Sequence, residues 1–192
     1  MVTVQNIIDL METLSPPALK MEWDSVGLHC GSRNAPVKKV MVALDPFEHV
    51  CREAADWGAE LIVTHHPLIF QAMKSVTDET SIGRGIMILC RSGISAVNAH
   101  TNLDQTPGGV NDRLAAALGL SDVGVVDPMG VDETGREWGL LRKGDVTEQA
   151  LSDFLPTVKS ALGCQGLRYV DGGKPVRKDH RTLLPGILAL RR

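Results

Sequence analysis

The first hundred residues alternate between short apolar runs and stretches with helical spacing. Apolar residues recur at helical spacing over Val4–Leu14, and Ser15-Pro16-Pro17 predicts the end of that helix. Val37–Leu44 and Leu61–Thr64 are apolar, β-branched runs that predict strands, and Glu48–Trp57 between them predicts a helix. A β-α-β unit of this kind has parallel strands and a right-handed crossover.

A second crossover follows the first. It consists of a helix from about Glu79 to Arg91 and a further parallel strand at Ile94–Val97. Later in the chain the pattern predicts a strand at Glu137–Leu141, a helix over Thr147–Leu162 that begins on its threonine cap, and a strand at Gly166–Val170. We therefore predict an α/β fold, with a mainly parallel sheet flanked by helices and a smaller α+β insert.

Composition narrows the classes of partner. The 192 residues carry 20 basic and 23 acidic side chains, a net charge of -3, which provides no broad electrostatic surface for nucleic acid or an anionic membrane. The N-terminus lacks the features of a signal peptide, and no apolar run approaches the ~20 residues of a membrane span. We expect a cytoplasmic protein without nucleic-acid or membrane partners. Its cysteines form no C-x-x-C pair and are expected to be reduced, packed thiols: Cys30, Cys51, Cys90 and Cys164.

Two adjacent histidines end the second predicted strand. His65 and His66 follow Thr64, and Pro67 prevents the strand from continuing. Adjacent side chains on extended backbone point to opposite sides, so the pair would hold two neighbouring ions more easily than one shared ion. The alternative is that one histidine packs and the other is solvated.

Polar residues also follow the other two parallel strands, where open α/β sheets bind ligands. Asp45 follows the first strand, and Asn98–Asp104 follows the third. Asp104 offers a hard oxygen ligand, and a mixed nitrogen and oxygen set suits Zn, Mn, Fe or Ni. We expect Asp45 to cap the next helix rather than bind metal. His100 is expected to pack beside the ligands and, in an enzyme, to transfer protons.

These segments resemble the Nif-three-like family, whose members are labelled GTP cyclohydrolase I type 2 homologues. The resemblance implies a two-metal site in an α/β protein that assembles as a ring of six chains. It also implies that His66 and Asp104 hold one divalent ion, that His65 holds the other, and that the substrate is a nucleotide or a related small molecule. Gly108–Asp112 resembles the family too. The blocks that carry the resemblance are Trp23–Leu28, Thr64–Phe70 and Asn98–Asp104.

Two classes of function stay open at this point. The first is a metal-dependent hydrolase in which His100 transfers protons. The second is a metal-binding or protein-interaction module without turnover. Clustered polar groups at strand ends favour the first class for the family as a whole.

The C-terminal residues depart from the family pattern. The remaining ligands implied by the resemblance are a histidine and a glutamate four residues apart, but no acidic residue follows Asp179, and His180 is the one histidine after residue 176. We therefore expect missing C-terminal β-α units, an incomplete site with little hydrolytic activity, and an assembly smaller than the ring. The predicted parts are a metal-site domain at 1–126, an α+β segment at 127–175 and an atypical tail at 176–192.

Overall fold

The computed structural model describes residues 1–176. Internal contacts divide the chain into two units, Met1–Leu103 and Asp104–Arg192, and the predicted boundary after residue 126 stays a prediction. The expectations for Asp179 and His180 lie outside the described residues. Within residues 1–176, no helix combines the length and apolar character needed to cross a membrane.

The first unit follows the predicted order of elements closely. Two helices and one strand have the predicted bounds, while the third strand is shifted by one residue toward the C-terminus. A short 3-10 turn also occurs at Pro17–Leu19. The elements are α1 (Val4–Leu14), β1 (Gly27–Cys30), β2 (Val40–Ala43), α2 (Glu48–Trp57), β3 (Leu61–Thr64), α3 (Ser81–Arg91), β4 (Ser95–Asn98) and α4 (Thr101–Gln105), which runs into the second unit.

The first unit is organised around one four-stranded sheet with the strand order β1-β4-β3-β2. Strands β2, β3 and β4 are parallel, and Leu61 pairs with both Val40 and Ser95. Strand β1 runs antiparallel to β4 at the edge, with a bulge between Leu28 and Cys30. The mainly parallel sheet predicted from the sequence is therefore confirmed.

Helices cover both faces of this sheet. On one face, Cys51 and Ala54 of α2 and Leu89 of α3 pack against Ile62 of β3. On the other face, Val4 and Ile8 of α1 pack against Leu61 and Val97. Neighbouring residues of one strand thus enter opposite cores, as the two-residue period of extended backbone requires. Burial on both sides explains why these strands are apolar runs without polar alternation.

Up to residue 176, the second unit contains two small antiparallel sheets, β5 (Ser121–Val126) with β8 (Leu141–Asp145) and β6 (Gly130–Val131) with β7 (Glu137–Trp138). The predicted strand at Glu137–Leu141 is wrong as one element, because it is divided between β7 and β8. The carbonyl of Gly139, which lies between the two strands, accepts a hydrogen bond from the Arg142 guanidinium at 2.6 Å. The elements are α5 (Val110–Ala117), β5 (Ser121–Val126), β6 (Gly130–Val131), β7 (Glu137–Trp138), β8 (Leu141–Asp145) and α6 (Leu151–Ala161).

Two further predictions in this unit are wrong. Helix α6 begins after Ala150 rather than on a threonine cap, because Gln149 is held extended in a bridge to Val176. No strand forms over residues 166–170. Tyr169 and Val170 there are 59% and 94% exposed, so burial of their side chains does not stabilise an extended conformation.

The family-like segment at Gly108–Asp112 joins α5 to the start of β8. The Asn111 side-chain amide donates to the carbonyl of Leu140 at 2.6 Å, and the Asp112 carboxylate forms an ion pair with the guanidinium of Arg142. Arg142 is only 2% exposed, and a buried charge requires such a partner. This segment therefore has a structural role in the second unit.

Gly31 provides a test of the close approach between the end of β1 and the start of β4. It has φ of +99°, and a Cβ there would lie 2.3 Å from the Oγ of Ser95. Gly93 also has a positive φ, +68°, but a Cβ there meets open space. We expect Gly93→Ala to cost about 1–2 kcal/mol of backbone strain, and Gly31→Ala to cost about 1–3 kcal/mol more from overpacking. Denaturant titration measures both values, and equal losses would contradict the close packing.

Candidate metal centre

Three imidazoles lie together at the carboxyl ends of β3 and β4. His65 and His66 directly follow β3, and His100 lies two residues after β4. One ligand atom from each ring lies within 4.8 Å of the other two, and the ring centroids are 5.0 to 5.6 Å apart. The group could hold a metal ion.

The rings of His65 and His66 lie closer together than adjacent side chains on extended backbone would, while their expected binding of two neighbouring ions stays a prediction. Strand β3 ends at Thr64, and the Thr64 hydroxyl donates a hydrogen bond to the carbonyl of His66 at 2.7 Å. This bond bends the chain directly after the strand, so the alternation of side chains on extended backbone no longer applies. The two rings consequently lie 5.0 Å apart.

The backbone fixes the protonation pattern of His65. Its Nδ1 lies 3.0 Å from the carbonyl oxygen of Ala99, which only accepts hydrogen bonds, so Nδ1 carries the proton and Nε2 keeps its lone pair. Burial, followed by the nearby His66 and His100, lowers the pKa of His65 to about 4, although the Ala99 carbonyl and the charge of Asp24 oppose this shift. His65 is therefore a neutral imidazole at neutral pH.

Carboxylates hold the other two rings in the same way. Nδ1 of His66 lies 2.6 Å from Oδ1 of Asp45, and Nδ1 of His100 lies 2.9 Å from Oδ1 of Asp24. An ionised carboxylate only accepts, so both Nδ1 atoms donate and both Nε2 atoms are left as lone-pair donors. The prediction that Asp45 caps α2 is wrong, since the cap position is Phe47 and makes no side-chain cap.

Asp24 is the most enclosed part of the centre, with a side chain that is 0% exposed. Its Oδ1 also accepts from the backbone N–H of Ser25 at 2.8 Å. Its Oδ2 accepts from the backbone N–H and the hydroxyl of Thr101 at 3.0 and 2.5 Å. Burial raises the carboxyl pKa of Asp24, but the hydrogen bonds from His100 and Thr101 lower it by more, so the pKa lies below the ordinary value. Asp24 is therefore ionised.

Sequence reasoning missed the part that Asp24 plays. The signal was its position in the family-like block Trp23–Leu28, but its partners His100 and Thr101 lie 76 and 77 residues along the chain. No local pattern reports a contact over that separation.

His29 has the opposite proton arrangement. It lies in the bulge of β1, and its Nδ1 accepts from the backbone N–H of Ile69 at 3.1 Å. Its Nε2 lies 3.0 Å from the hydroxyl of Ser25 and carries the proton. Burial lowers the pKa of His29, while the charge of Asp24 and a bond to Ser25 oppose that shift. His29 thus supports the loop that follows His66.

Two exposed aromatic rings flank the cluster. Trp23 is 58% and Phe70 50% exposed, and their rings meet edge to face with centroids 5.9 Å apart. Each ring centroid lies 6.4 Å from that of His100. We call Trp23 and Phe70 the aromatic rim.

Asp104 lies on α4 and is 5% exposed. It belongs to the second unit, where its backbone carbonyl accepts from the side chain of Asn111 at 3.0 Å. Its predicted pairing with His66 on one ion stays a prediction.

The chain matches a known protein family. The model of the Duf34/NIF3 (NGG1p interacting factor 3) family matches residues 2–180. The chain belongs to this family. The match includes the first five residues of the predicted atypical tail, 176–180, so the divergence there is minor.

Curated relatives carry the name that the sequence resemblance suggested. The GTP cyclohydrolase 1 type 2 homolog of Clostridium perfringens is 39% identical over 167 residues, 86% of this chain and 63% of the relative. That of Bacillus subtilis is 44% identical over 166 residues, 86% of this chain and 42% of the relative. The chain thus spans less than two thirds of the length of these relatives.

Solved structures share the fold. A Bacillus cereus protein related to NIF3 aligns with a TM-score of 0.86 and 26% identity, covering 93% of this chain and 75% of that one. Reduced HcgD from Methanocaldococcus jannaschii aligns with a TM-score of 0.67 and 31% identity, covering 83% and 60% of the two chains.

The hydrogen bonds of this NIF3-family chain predict an imidazole tautomer for four histidines. In metal-free protein above neutral pH, we expect the proton on Nδ1 in His65, His66 and His100, because each Nδ1 faces an acceptor. In His29 we expect it on Nε2, because Nδ1 accepts from an amide. Long-range proton–nitrogen NMR of labelled protein distinguishes the two forms. A proton on Nε2 in any of the three clustered rings would contradict the arrangement.

Proposed function

We propose that this chain binds a divalent metal ion through Nε2 of His65, His66 and His100, and that the protein is a metal-dependent hydrolase. The observation that carries the proposal is the engagement of all three Nδ1 atoms by acceptors, together with the mutual distance of 4.8 Å or less between ligand atoms. Each ring is thereby held with the lone pair of its Nε2 available to a metal ion.

The three imidazole nitrogens fit a divalent transition-metal ion such as zinc. Neutral imidazole suits Zn, Cu, Fe and Ni, and metal-binding histidines characteristically donate their other N–H to a carboxylate or a carbonyl. Asp24, Asp45 and the carbonyl of Ala99 supply those three acceptors. In this proposal His100 is a ligand rather than the proton-transfer group expected from the sequence.

The chemistry proposed for the centre is hydrolysis. A divalent ion held by three histidines supplies Lewis acidity, which activates water and polarises a substrate oxygen at neutral pH. The chain's own residues hold the rings: Asp24 and Asp45 keep the protons of His100 and His66 on Nδ1, away from the centre. Asp104 is proposed as a further oxygen ligand, and a second ion belongs to the proposal with it.

The proposed substrate is a nucleotide or a related small molecule with a planar ring. The aromatic rim supports this choice, because Trp23 and Phe70 expose ring surface within 6.4 Å of the His100 ring centroid, and bases stack on aromatic side chains. The name shared by the curated relatives supports it as well. Since the chain spans 63% of the Clostridium perfringens relative, turnover is proposed for the whole protein. An assembly smaller than the six-chain ring implied by the family resemblance is likewise proposed for this chain.

Metal uptake tests the first part of the proposal. We expect His66→Ala and His100→Ala to lose most of the zinc bound by the 192-residue chain, because each removes one of three ligands. Asp45→Ala should weaken zinc binding about 10–100-fold by releasing the His66 ring. His49→Ala is the matched control, since His49 is exposed and stacks near Phe47. Equilibrium dialysis with metal analysis gives the occupancies, and equal uptake by His49→Ala and His100→Ala would refute the centre.

Substrate recognition is tested through the aromatic rim. With the metal-loaded 192-residue chain, we expect Trp23→Leu to raise the Kd for a nucleoside triphosphate roughly tenfold, the loss of about one stacking contact. Trp57→Leu serves as the control, because Trp57 is similarly exposed at 49% but packs beneath Lys39 near the start of β2. An unchanged Kd in Trp23→Leu, with normal zinc uptake, would exclude the aromatic rim from substrate binding without contradicting the proposed metal centre.

A further inference from the structure

A pair of thiols lies in the first unit apart from the metal centre. The sulfur atoms of Cys30 and Cys90 are 3.4 Å apart although the residues are 60 positions apart in sequence. Cys30 is the last residue of β1, and Cys90 is the penultimate residue of α3. The expectation that every cysteine is a packed thiol is wrong for Cys90, which is exposed.

We propose that Cys30 and Cys90 form an oxidation site, which closes into an intramolecular disulfide by exchange with a small-molecule disulfide such as oxidised glutathione. The two sulfurs are already in contact, and a bond length of about 2.05 Å requires them to approach by little more than 1 Å. The bond would link the edge strand of the sheet to a helix that covers it.

The two thiols have different environments, and this difference sets the order of reaction. Cys90 is exposed and meets a dissolved oxidant first. Cys30 is half-buried, and burial, followed by the hydrogen bond and the charge of Cys90, raises its pKa to about 12. Cys30 therefore stays protonated while Cys90 reacts.

The exchange balances as two substitutions at sulfur. The Cys90 thiolate attacks one sulfur of oxidised glutathione, so a Cys90–glutathione disulfide forms and one glutathione thiolate leaves. Cys30 then loses its proton to solvent and attacks the Cys90 sulfur, which expels the second glutathione thiolate. The two protein thiols are oxidised, and one glutathione disulfide is reduced to two glutathione molecules.

The remaining cysteines are placed differently. Cys51 is 0% exposed on the core-facing side of α2, where burial raises its pKa. Cys164 belongs to the second unit and is half-buried. These two residues provide internal controls for the selectivity of oxidation.

The bond has a consequence for the stability of the first unit. It would close a loop that contains β2, α2 and β3, and with them His65 and His66. A cross-link across some sixty residues removes conformations from the unfolded chain. We expect the oxidised protein to melt roughly 5–15 °C above the reduced protein.

The test is incubation of the full chain with oxidised glutathione, followed by alkylation of free thiols and peptide mass spectrometry under non-reducing conditions. We expect a peptide linked through Cys30 and Cys90, alkylated Cys51 and Cys164 after unfolding, and reversal by dithiothreitol. Cys30→Ser should trap the glutathione adduct on Cys90, and Cys90→Ser should abolish the oxidant-dependent rise in Tm. Cys164→Ser should leave both results unchanged.

Three outcomes would overturn the proposal. They are four alkylated cysteines after prolonged incubation, a stable glutathione adduct on Cys90 of the unsubstituted chain, and disulfides that join separate chains. Circular dichroism of the reduced variants confirms that each is folded, so loss of the bond cannot be confused with loss of structure.

Discussion

The buried carboxylate of Asp24 is the constraint on which the candidate centre depends. It accepts hydrogen bonds from the backbone of Ser25, from the ring of His100 and twice from Thr101. An ionised carboxylate without these partners could not stay buried, because its desolvation would cost several kcal/mol. Satisfying it therefore requires that the segment before β1 and the turn after β4 meet. The His100 ring is fixed as a result.

Much of the first unit could be predicted because its signals are local. The β-branched run at Leu61–Thr64 and the helical spacing at Glu48–Trp57 gave the bounds that the structure has. The polarity of the sheet followed from the crossovers, and this placed the histidines at a common edge. The prediction failed at the next level of detail. The Thr64 hydroxyl donates a hydrogen bond to the carbonyl of His66 and bends the chain there. A single side-chain hydrogen bond of that kind leaves no periodic pattern in the sequence.

The second unit was harder to predict for a related reason. Its strands are short, and their ends are decided by single long-range contacts such as Arg142 with Asp112. The apolar residues Tyr169 and Val170 suggested a strand, but both are exposed. Apolar sequence alone therefore did not identify burial. The family resemblance located Gly108–Asp112 correctly as a distinctive segment, and only the structure gave its part in joining α5 to β8.

The two carboxylates behind the imidazole cluster set its charge. In the proposed centre the three rings bind as neutral imidazoles, so Asp24 and Asp45 place two negative charges within hydrogen-bonding distance of His100 and His66. A doubly charged cation brings the sum of charges to zero, whereas a singly charged ion leaves one negative charge and a triply charged ion adds one positive charge. Unit charges about 4 Å apart at a protein surface interact by about 4 kcal/mol. For one ion bound by the three rings of the proposed centre, we therefore expect charge balance to favour a divalent cation.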